Sequence, residues 1–257
     1  MKAVAIIPAR YASTRLPGKP LIMIKGKPLI QYVYERVKES SVGQVIVATD
    51  DERIATAVRR FGGEAVLTSP RHQSGTERVA EVATGINAEI VVNCQGDEPL
   101  IQPEAIDKAI AALVQDPSIM VTTLITPLET GDDLNDPHVV KVVVDHNGFA
   151  LYFSRALIPY PRDVLETKNT GPLKEEELAK FDKRELAGYW QHIGLYAFRK
   201  EFLVKLIALP PSPLERREKL EQLRILENGY KIKTVICSTP SIGIDTQKDV
   251  ERFTALV

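Results

Sequence analysis

Cysteine is scarce in this chain of 257 residues, in which Cys94 and Cys237 are the only two. Two cysteines are too few for a disulfide framework or a cysteine-based zinc site. The apolar stretch Ala3–Ile7 is too short for a signal-peptide core, and no run approaches the length of a membrane span. Neither sign of charge is in excess, since the chain has 33 basic and 34 acidic residues. We therefore expect no nucleic-acid or membrane partner, and a cytoplasmic enzyme.

Two common nucleotide-binding motifs are also missing. The sequence has no G-x-x-x-x-G-K-[ST], which excludes a P-loop NTPase. No G-x-G-x-x-G follows the first predicted strand, so the dinucleotide-binding Rossmann motif is absent too. An anion site in this chain must depend on side-chain cations more than on a glycine-rich backbone.

What is present is an ordinary globular composition, 44% hydrophobic and 26% charged, in which strand and helix patterns alternate. The predicted strands are Lys2–Pro8, Gln44–Ala48, Glu64–Leu67 and Glu89–Asn93, and the predicted helices are Pro28–Lys38, Asp51–Phe61, Thr76–Thr84 and Pro103–Val114. This order predicts βαβ units and an α/β fold with a mainly parallel central sheet flanked by helices.

The alternation breaks after Asp116, where a smaller region rich in β-strands is predicted. Its elements are strands at Ile119–Ile125, Val139–Val144, Phe149–Ser154 and Ile193–Phe198, a hairpin turn at 146–148, and a polar segment at Arg162–Leu186 that fits a solvated helix or a mobile loop. The chain then closes with a helix at Glu215–Glu227, a strand at Lys231–Cys237 and a helix at Thr246–Leu256.

The loop after the first strand is rich in cations. Arg10, Arg15 and Lys19 lie within ten residues of one another, beside the hydroxyl groups of Ser13 and Thr14. Ligands bind beyond the carboxyl ends of parallel strands, so this loop is a candidate cradle for a di- or triphosphate, although basic clusters are often only solvated.

Two acidic residues stand in other loops. Asp97 follows the fourth strand and Asp245 precedes the last helix. Either carboxylate could hold a divalent cation such as Mg²⁺, which prefers oxygen ligands. Asp97 could instead cap the helix that begins near Pro103, and Asp245 fits a helix cap equally well.

Further polar residues fit a nucleotide or an acidic ligand. Gln73 and Ser74 could hydrogen-bond a base or ribose, beside Gly75, where the backbone can be approached closely. Arg155 and Arg162 could clamp a carboxylate, with a surface role equally open. His192 on its own is more often structural than catalytic.

The order of several segments resembles the cytidylyltransferases that activate acidic sugars, across nearly the whole chain. The matching segments are 8–21, 72–78, 95–99, 150–155, 192–196, 220–224 and 243–246. The resemblance implies a Rossmann-like nucleotidyltransferase fold over residues 1–257, with 149–198 as an inserted subregion for sugar binding and dimer contact. It also implies transfer of CMP from CTP to 3-deoxy-manno-octulosonate (Kdo), with Mg²⁺ as cofactor and release of pyrophosphate, in lipopolysaccharide biosynthesis by a homodimer.

The resemblance also assigns roles to individual residues. CTP would be bound by Ala9, Arg10, Ser13, Arg15, Lys19, Arg71, Gln73, Ser74 and Gly75. The sugar would be surrounded by Gln95, Arg155, Arg162, His192, Tyr196, Glu221 and Gln222. Asp97 and Asp245 would bind magnesium, and with Arg10 and Lys19 they would be the catalytic residues.

Two other functions compete with this one. Enzymes that activate sialic acid or sugar 1-phosphates use related chemistry, and the second kind has no need of a carboxylate clamp such as Arg155. A regulatory module that binds nucleotide without turnover should have lost a metal ligand or a phosphate-binding cation, whereas Asp97, Asp245, Arg10 and Lys19 are all present.

Overall fold

The computed structural model of the protein describes residues 1–12, 16–162, 181–182, 184–238 and 243–257. The chain divides into two compact units. The first contains Met1–Thr122, Gly194–Leu209 and Thr239–Val257, and the second contains Thr123–Ile193 and Pro210–Ser238. The predicted subregion 149–198 belongs to the second unit up to residue 193, and its role stays a prediction.

The elements follow one another in an alternating order. The strands are β1 (Ala3–Ala9), β2 (Met23–Ile24), β3 (Lys27–Pro28), β4 (Gln44–Thr49), β5 (Glu64–Leu67), β6 (Ile90–Cys94), β7 (Val121–Pro127), β8 (Lys141–Val144), β9 (Ala150–Ser154), β10 (Trp190–Arg199) and β11 (Lys233–Ile236). The helices are α1 (Leu29–Lys38), α2 (Glu52–Arg60), α3 (Gly75–Thr84), α4 (Pro103–Gln115), α5 (Asp132–Asn135), α6 (Lys200–Ile207), α7 (Pro213–Glu218), α8 (Gln222–Glu227) and α9 (Gln247–Leu256).

A mainly parallel sheet forms the centre of the first unit. β1 pairs in parallel with β4 on one side and with β6 on the other, and β5 pairs in parallel with β4. The last residues of β10, Leu195–Arg199, run antiparallel along β6. β6 is buried along its whole length, as expected for a strand covered on both faces. The predicted α/β class with a mainly parallel sheet is confirmed.

Helices begin and end where local chemistry requires it. The Asp51 carboxylate accepts the Arg53 N–H at the start of α2, and Gly62 follows its end with φ +82°. Ser74 caps α3 by accepting the Glu77 N–H. The apolar sides of these helices supply the core, as in α1, where Leu29, Ile30, Val33, Tyr34 and Val37 are buried. Because β1, β4, β5 and β6 run parallel, their carboxyl ends lie at the same edge of the sheet.

The second unit is built mostly from antiparallel pairs. β8 pairs with β9, and Trp190 and Gln191 of β10 pair with β8. The predicted hairpin turn is confirmed, because the Asp145 N–H donates to the Phe149 carbonyl at 2.8 Å and Gly148 has φ +74°.

The interpretation of Arg162–Leu186 as a solvated segment is wrong at its end, although most of it lies outside the described residues. Phe181 and Leu186 are buried in one cluster with Leu128, Leu134 and Tyr189.

The predicted helix Glu215–Glu227 is wrong as a single element. The chain forms α7 and α8, separated by Lys219 at φ +56°. The break brings Arg224 back to Glu215, and its guanidinium donates two hydrogen bonds of 2.8 and 2.6 Å to that carboxylate. In a straight helix nine residues span about 13.5 Å, too far for this contact.

Helix α6, by contrast, was not predicted, although Phe202, Leu203 and Leu206 on its buried side recur at helical spacing. Among the described residues, no helix has the length and apolar character needed to cross a bilayer.

Candidate active site

A cavity of about 330 Å³ in the first unit brings together half of the site residues that the sequence predicts. Nine predicted site residues line it: Ala9, Arg10, Lys19, Gln73, Ser74, Gly75, Gln95, Asp97 and Asp245. Ala9 is the last residue of β1, and the others follow β1, β5 or β6 or precede α9. The carboxyl ends of parallel strands therefore carry the site, as the sequence predicts.

Two glycines let these loops approach one another. A Cβ on Gly96 would lie 2.9 Å from the Pro8 carbonyl oxygen, closer than carbon and oxygen atoms tolerate. A Cβ on Gly75 would lie 3.1 Å from the Pro8 ring. The loop after β6 and the start of α3 are thus both packed against the end of β1.

Lys19 is the central residue of the cavity. Its Nζ donates to Asp97 Oδ2 at 2.6 Å, to Asp245 Oδ1 at 3.0 Å and to the Ile244 carbonyl at 2.8 Å. The Ile244 N–H in turn donates to the Asp97 carbonyl at 2.8 Å. Segments that are 78 and 226 residues from Lys19 in the sequence therefore meet at one ammonium group.

The electrostatics of this cluster favour a charged lysine. The Lys19 side chain is 14% exposed, and burial by itself would lower its pKa. The charges and hydrogen bonds of Asp97 and Asp245 outweigh burial, and the net effect raises the Lys19 pKa above its ordinary value. The same residues form a compact group of one cation and two anions, in which each carboxylate has a hard oxygen directed at the same point.

The structure excludes one of the alternative roles of the two aspartates, helix capping. The N-cap of α4 is Gln102, so Asp97 does not cap that helix. The N-cap of α9 is Thr246, whose hydroxyl accepts the Asp249 N–H while the Asp249 carboxylate accepts the Thr246 N–H. Helix capping therefore accounts for neither Asp97 nor Asp245.

The remaining predicted CTP residues differ in position. Ser74 is both a lining residue and the N-cap of α3. Arg71 is exposed and does not line the cavity, although its carbonyl accepts a hydrogen bond from Gln73 Nε2 at 2.9 Å. Ser13 and Arg15 lie outside the described residues.

Lining residues without a role in the sequence-based assignment are Pro8, Pro20, His72, Arg78 and Gly96. Arg78 is 4% exposed, and its guanidinium donates to Asp50 Oδ2 at 2.9 Å and also to Thr68 Oγ1. Its position was readable from the sequence, because Arg78 stands three residues after Gly75 on the same helix and so shares its face.

Most predicted sugar-binding residues belong to the second unit, where Arg155 is held by backbone groups. Its Nε donates to the Glu218 carbonyl at 2.8 Å and its Nη1 to the Pro137 carbonyl at 2.7 Å. Within the described part of the chain, no carboxylate oxygen forms an ion pair with this guanidinium. Its positive charge is therefore available to an acidic ligand.

His192 and Gln222 are constrained in different ways. Burial lowers the pKa of His192 to about 3, so the imidazole is neutral at physiological pH, and its Nε2 lies 2.9 Å from Thr123 Oγ1. Gln222 is 5% exposed, and its Nε2 has no hydrogen-bond partner among the described residues. A buried donor without a partner costs about 1–3 kcal/mol, which a ligand acceptor would remove.

The other predicted sugar residues lie as follows. Arg162 is exposed and Glu221 is half-buried, both in the second unit. In the first unit, Gln95 lines the cavity, with its Cγ 3.5 Å from where a Cβ on Gly194 would stand. Tyr196 does not line that cavity and stacks on Phe198 with ring centroids 5.6 Å apart.

A family model, two relatives and a solved structure agree on the kind of protein that this chain resembles. The model of a family described as cytidylyltransferase matches residues 4–232. The chain is 53% identical over 253 residues to a 3-deoxy-manno-octulosonate cytidylyltransferase of Geotalea uraniireducens, covering 98% of this chain and 97% of the relative. It is 50% identical to the protein of the same name from Syntrophotalea carbinolica, covering 99% and 98%. A solved structure of a CMP:2-keto-3-deoxy-manno-octonic acid synthetase with CTP superposes with a TM-score of 0.87 at 42% identity, covering 100% and 98%.

Proposed function

Because the chain belongs to the cytidylyltransferase family, we propose that it transfers the cytidylyl group of CTP to Kdo, giving CMP-Kdo and pyrophosphate. The relatives that it matches at about half identity over full length bear the name of this activity. The observation that carries the proposal is the contact of Lys19 with both Asp97 and Asp245 in a cavity at the ends of β1 and β6.

The reaction needs charge stabilisation more than covalent chemistry. The anomeric hydroxyl of Kdo attacks the α-phosphorus of CTP, a new P–O bond forms, the bond to the pyrophosphate oxygen breaks, and the hydroxyl loses its proton. Negative charge builds up on the phosphate oxygens during this step. Arg10 and Lys19 line the cavity as cations that offset this charge.

Asp97 and Asp245 fit the magnesium ion that the family resemblance implies. Mg²⁺ is commonly bound by one or two protein carboxylates together with substrate phosphates. Among the described residues, no group of three or more His, Cys, Asp or Glu side chains is placed to hold a metal ion. Asp97 and Asp245, which both contact Lys19 Nζ, supply the one or two carboxylates that a substrate-bound Mg²⁺ needs. When bound, the ion would neutralise phosphate charge. Lys19 then has to turn its ammonium group from the carboxylates toward the phosphates.

The acidic sugar is assigned to the second unit's Arg155 and Gln222, together with His192. The guanidinium of Arg155, which forms no ion pair among the described residues, suits the Kdo carboxylate. The buried Nε2 of Gln222 supplies a donor that lacks a partner. His192 contributes as a neutral hydrogen-bonding group, because burial keeps its pKa at about 3.

We expect Arg155→Ala to raise the KM for Kdo by roughly tenfold to a hundredfold, the range for losing a hydrogen bond to a charged group. The KM for CTP should change little. Steady-state kinetics with each substrate varied in turn measures the difference. Arg216→Ala, which removes an exposed arginine of the same unit, is the control. A larger change in the KM for CTP than for Kdo would move Arg155 out of the sugar site.

The decisive assay is pyrophosphate release by the purified protein with CTP and Mg²⁺. Kdo, N-acetylneuraminate and a sugar 1-phosphate are compared as acceptors. We expect release with Kdo alone. Release with another acceptor would change the sugar assignment, and CTP binding without release from any acceptor would favour a regulatory module.

The same proposal includes a cytoplasmic, homodimeric enzyme. CTP is a cytoplasmic nucleotide, which supports the location. The segment 149–198 is assigned to the dimer contact, and Leu151 on β9, which is 60% exposed, supports it as an apolar surface residue.

A further inference from the structure

Lys141 is a fully buried lysine whose burial the reaction described above does not explain. Its exposed fraction is 0%, and its Nζ donates to the carbonyls of Asp136, Val139 and Arg155 at 2.8, 2.7 and 2.8 Å. These three bonds use every donor of an ammonium group. Burial is the largest influence on its pKa and lowers it. A buried ammonium group is costly to desolvate, and its hydrogen bonds to three backbone carbonyls offset that cost.

What distinguishes the position of Lys141 is its relation to Arg155. Lys141 Nζ holds the Arg155 carbonyl, while Glu218 Oε2 accepts the Arg155 N–H at 3.0 Å. The backbone of Arg155 is therefore held on both sides by charged side chains. Glu218 is itself fixed, because its Oε1 accepts the Ser154 hydroxyl at 2.6 Å.

Lys141 also anchors a segment that the Arg155 side chain contacts. Two of its acceptors, Asp136 and Val139, flank Pro137, whose carbonyl accepts Arg155 Nη1. The backbone of Glu218 accepts Arg155 Nε. Both carbonyls that orient the guanidinium thus belong to segments that Lys141 or Glu218 anchors.

We propose that Lys141 and Glu218 are positioning residues that present the Arg155 guanidinium to the carboxylate of the acidic sugar. The inference rests on the proposed function, which assigns that carboxylate to Arg155. Neither residue needs to touch the sugar. Both act by fixing a long, flexible arginine before substrate arrives, which lowers the cost of ordering it during binding.

Lys141→Met tests the proposal, because methionine keeps the unbranched chain and removes all three donors. We expect the KM for Kdo to rise by about tenfold to a hundredfold, and the KM for CTP to stay within about twofold. Arg199→Met is the matched control. Arg199 is also buried, and it donates to the carbonyls of Leu113, Asp116 and Ile119. Its loss should reduce thermal stability without changing the KM for Kdo.

A double mutant separates positioning from a general structural role. If Lys141 acts through Arg155, then Lys141→Met in an Arg155→Ala background should raise the KM for Kdo by less than about twofold further. If the two substitutions instead raise the KM for Kdo independently, so that their separate factors multiply in the double mutant, the proposal is overturned. Circular dichroism and thermal melts establish that each variant is folded.

Glu218 provides the second test should Lys141→Met not fold. Glu218→Ala removes the acceptor of the Arg155 N–H and should raise the KM for Kdo. Glu218→Gln can keep an amide oxygen on that N–H and should restore most of the affinity. Equal effects of Ala and Gln, or no effect of Ala, would overturn the proposal.

The outcomes distinguish a failure of the proposed function from a failure of the positioning proposal. If the wild-type protein does not use Kdo, the proposed function fails. If it uses Kdo and Arg155→Ala raises the KM for Kdo, but the folded Lys141 and Glu218 variants do not, the positioning proposal alone fails. If Arg155→Ala leaves the KM for Kdo unchanged, the positioning proposal fails with the assignment of Arg155.

Discussion

Replacing Lys19 by methionine should lower kcat by about 10²–10³, the range for losing one charge-stabilising donor. Its ammonium group lies on the cavity and contacts both acidic residues of the site, so its loss removes a cation and leaves two carboxylates facing each other. Initial rates of pyrophosphate release at saturating CTP and Kdo measure the effect.

The control for this variant is Lys27→Met in the same unit. Lys27 is paired with Glu35 at 2.8 Å and is 45% exposed, so its ion pair contributes little and its loss should leave kcat unchanged. A fall of less than tenfold for Lys19→Met would identify Lys19 as a lysine outside the reaction.

Three parallel strands of the first unit, β1, β4 and β6, were predictable because they are buried along nearly their whole length, and β5 was predictable although it is partly exposed. The predicted bounds of β1, β4, β5 and β6 differ from the observed ones by no more than one residue. An apolar run that ends at a Pro, Gly or polar residue needs no tertiary information to be recognised. Positions such as Lys19 and Asp97 follow from the same rule, since a loop after a parallel strand lies at the ligand-binding edge.

The cap of α9 could also have been predicted, because Thr246 and Asp249 have the spacing of a capping box, which removes the capping role from Asp245.

Other features depend on contacts between separate segments and could not be predicted. Lys219 gives no local signal for its left-handed conformation, and only the pairing of Arg224 with Glu215 explains the break after α7. Lys141 interrupts an apolar strand, and its acceptor at Arg155 is fourteen residues away.

Asp97→Asn should lower kcat by about 10²–10³ at limiting Mg²⁺ and recover part of the loss as Mg²⁺ is raised. Asparagine keeps the shape of the side chain and an oxygen, but it removes the negative charge that a hard cation prefers. The rate as a function of Mg²⁺ concentration measures the shift. Asp107→Asn, which alters a carboxylate bound to Ser41, should leave the Mg²⁺ dependence unchanged.

The Mg²⁺ dependence separates two roles for Asp97. Its carboxylate is 2.6 Å from Lys19 Nζ. One role of Asp97 is therefore to hold Lys19, and its loss would then act by releasing the ammonium group. In that case kcat would fall by the same factor at every Mg²⁺ concentration, and the double mutant with Lys19→Met would be no worse than Lys19→Met alone. A ligand role instead predicts a higher half-saturating Mg²⁺ concentration in Asp97→Asn, and a further loss when the two substitutions are combined. Unchanged activity of Asp97→Asn at limiting Mg²⁺ would reject both roles, because each requires the negative charge of Asp97 beside Lys19.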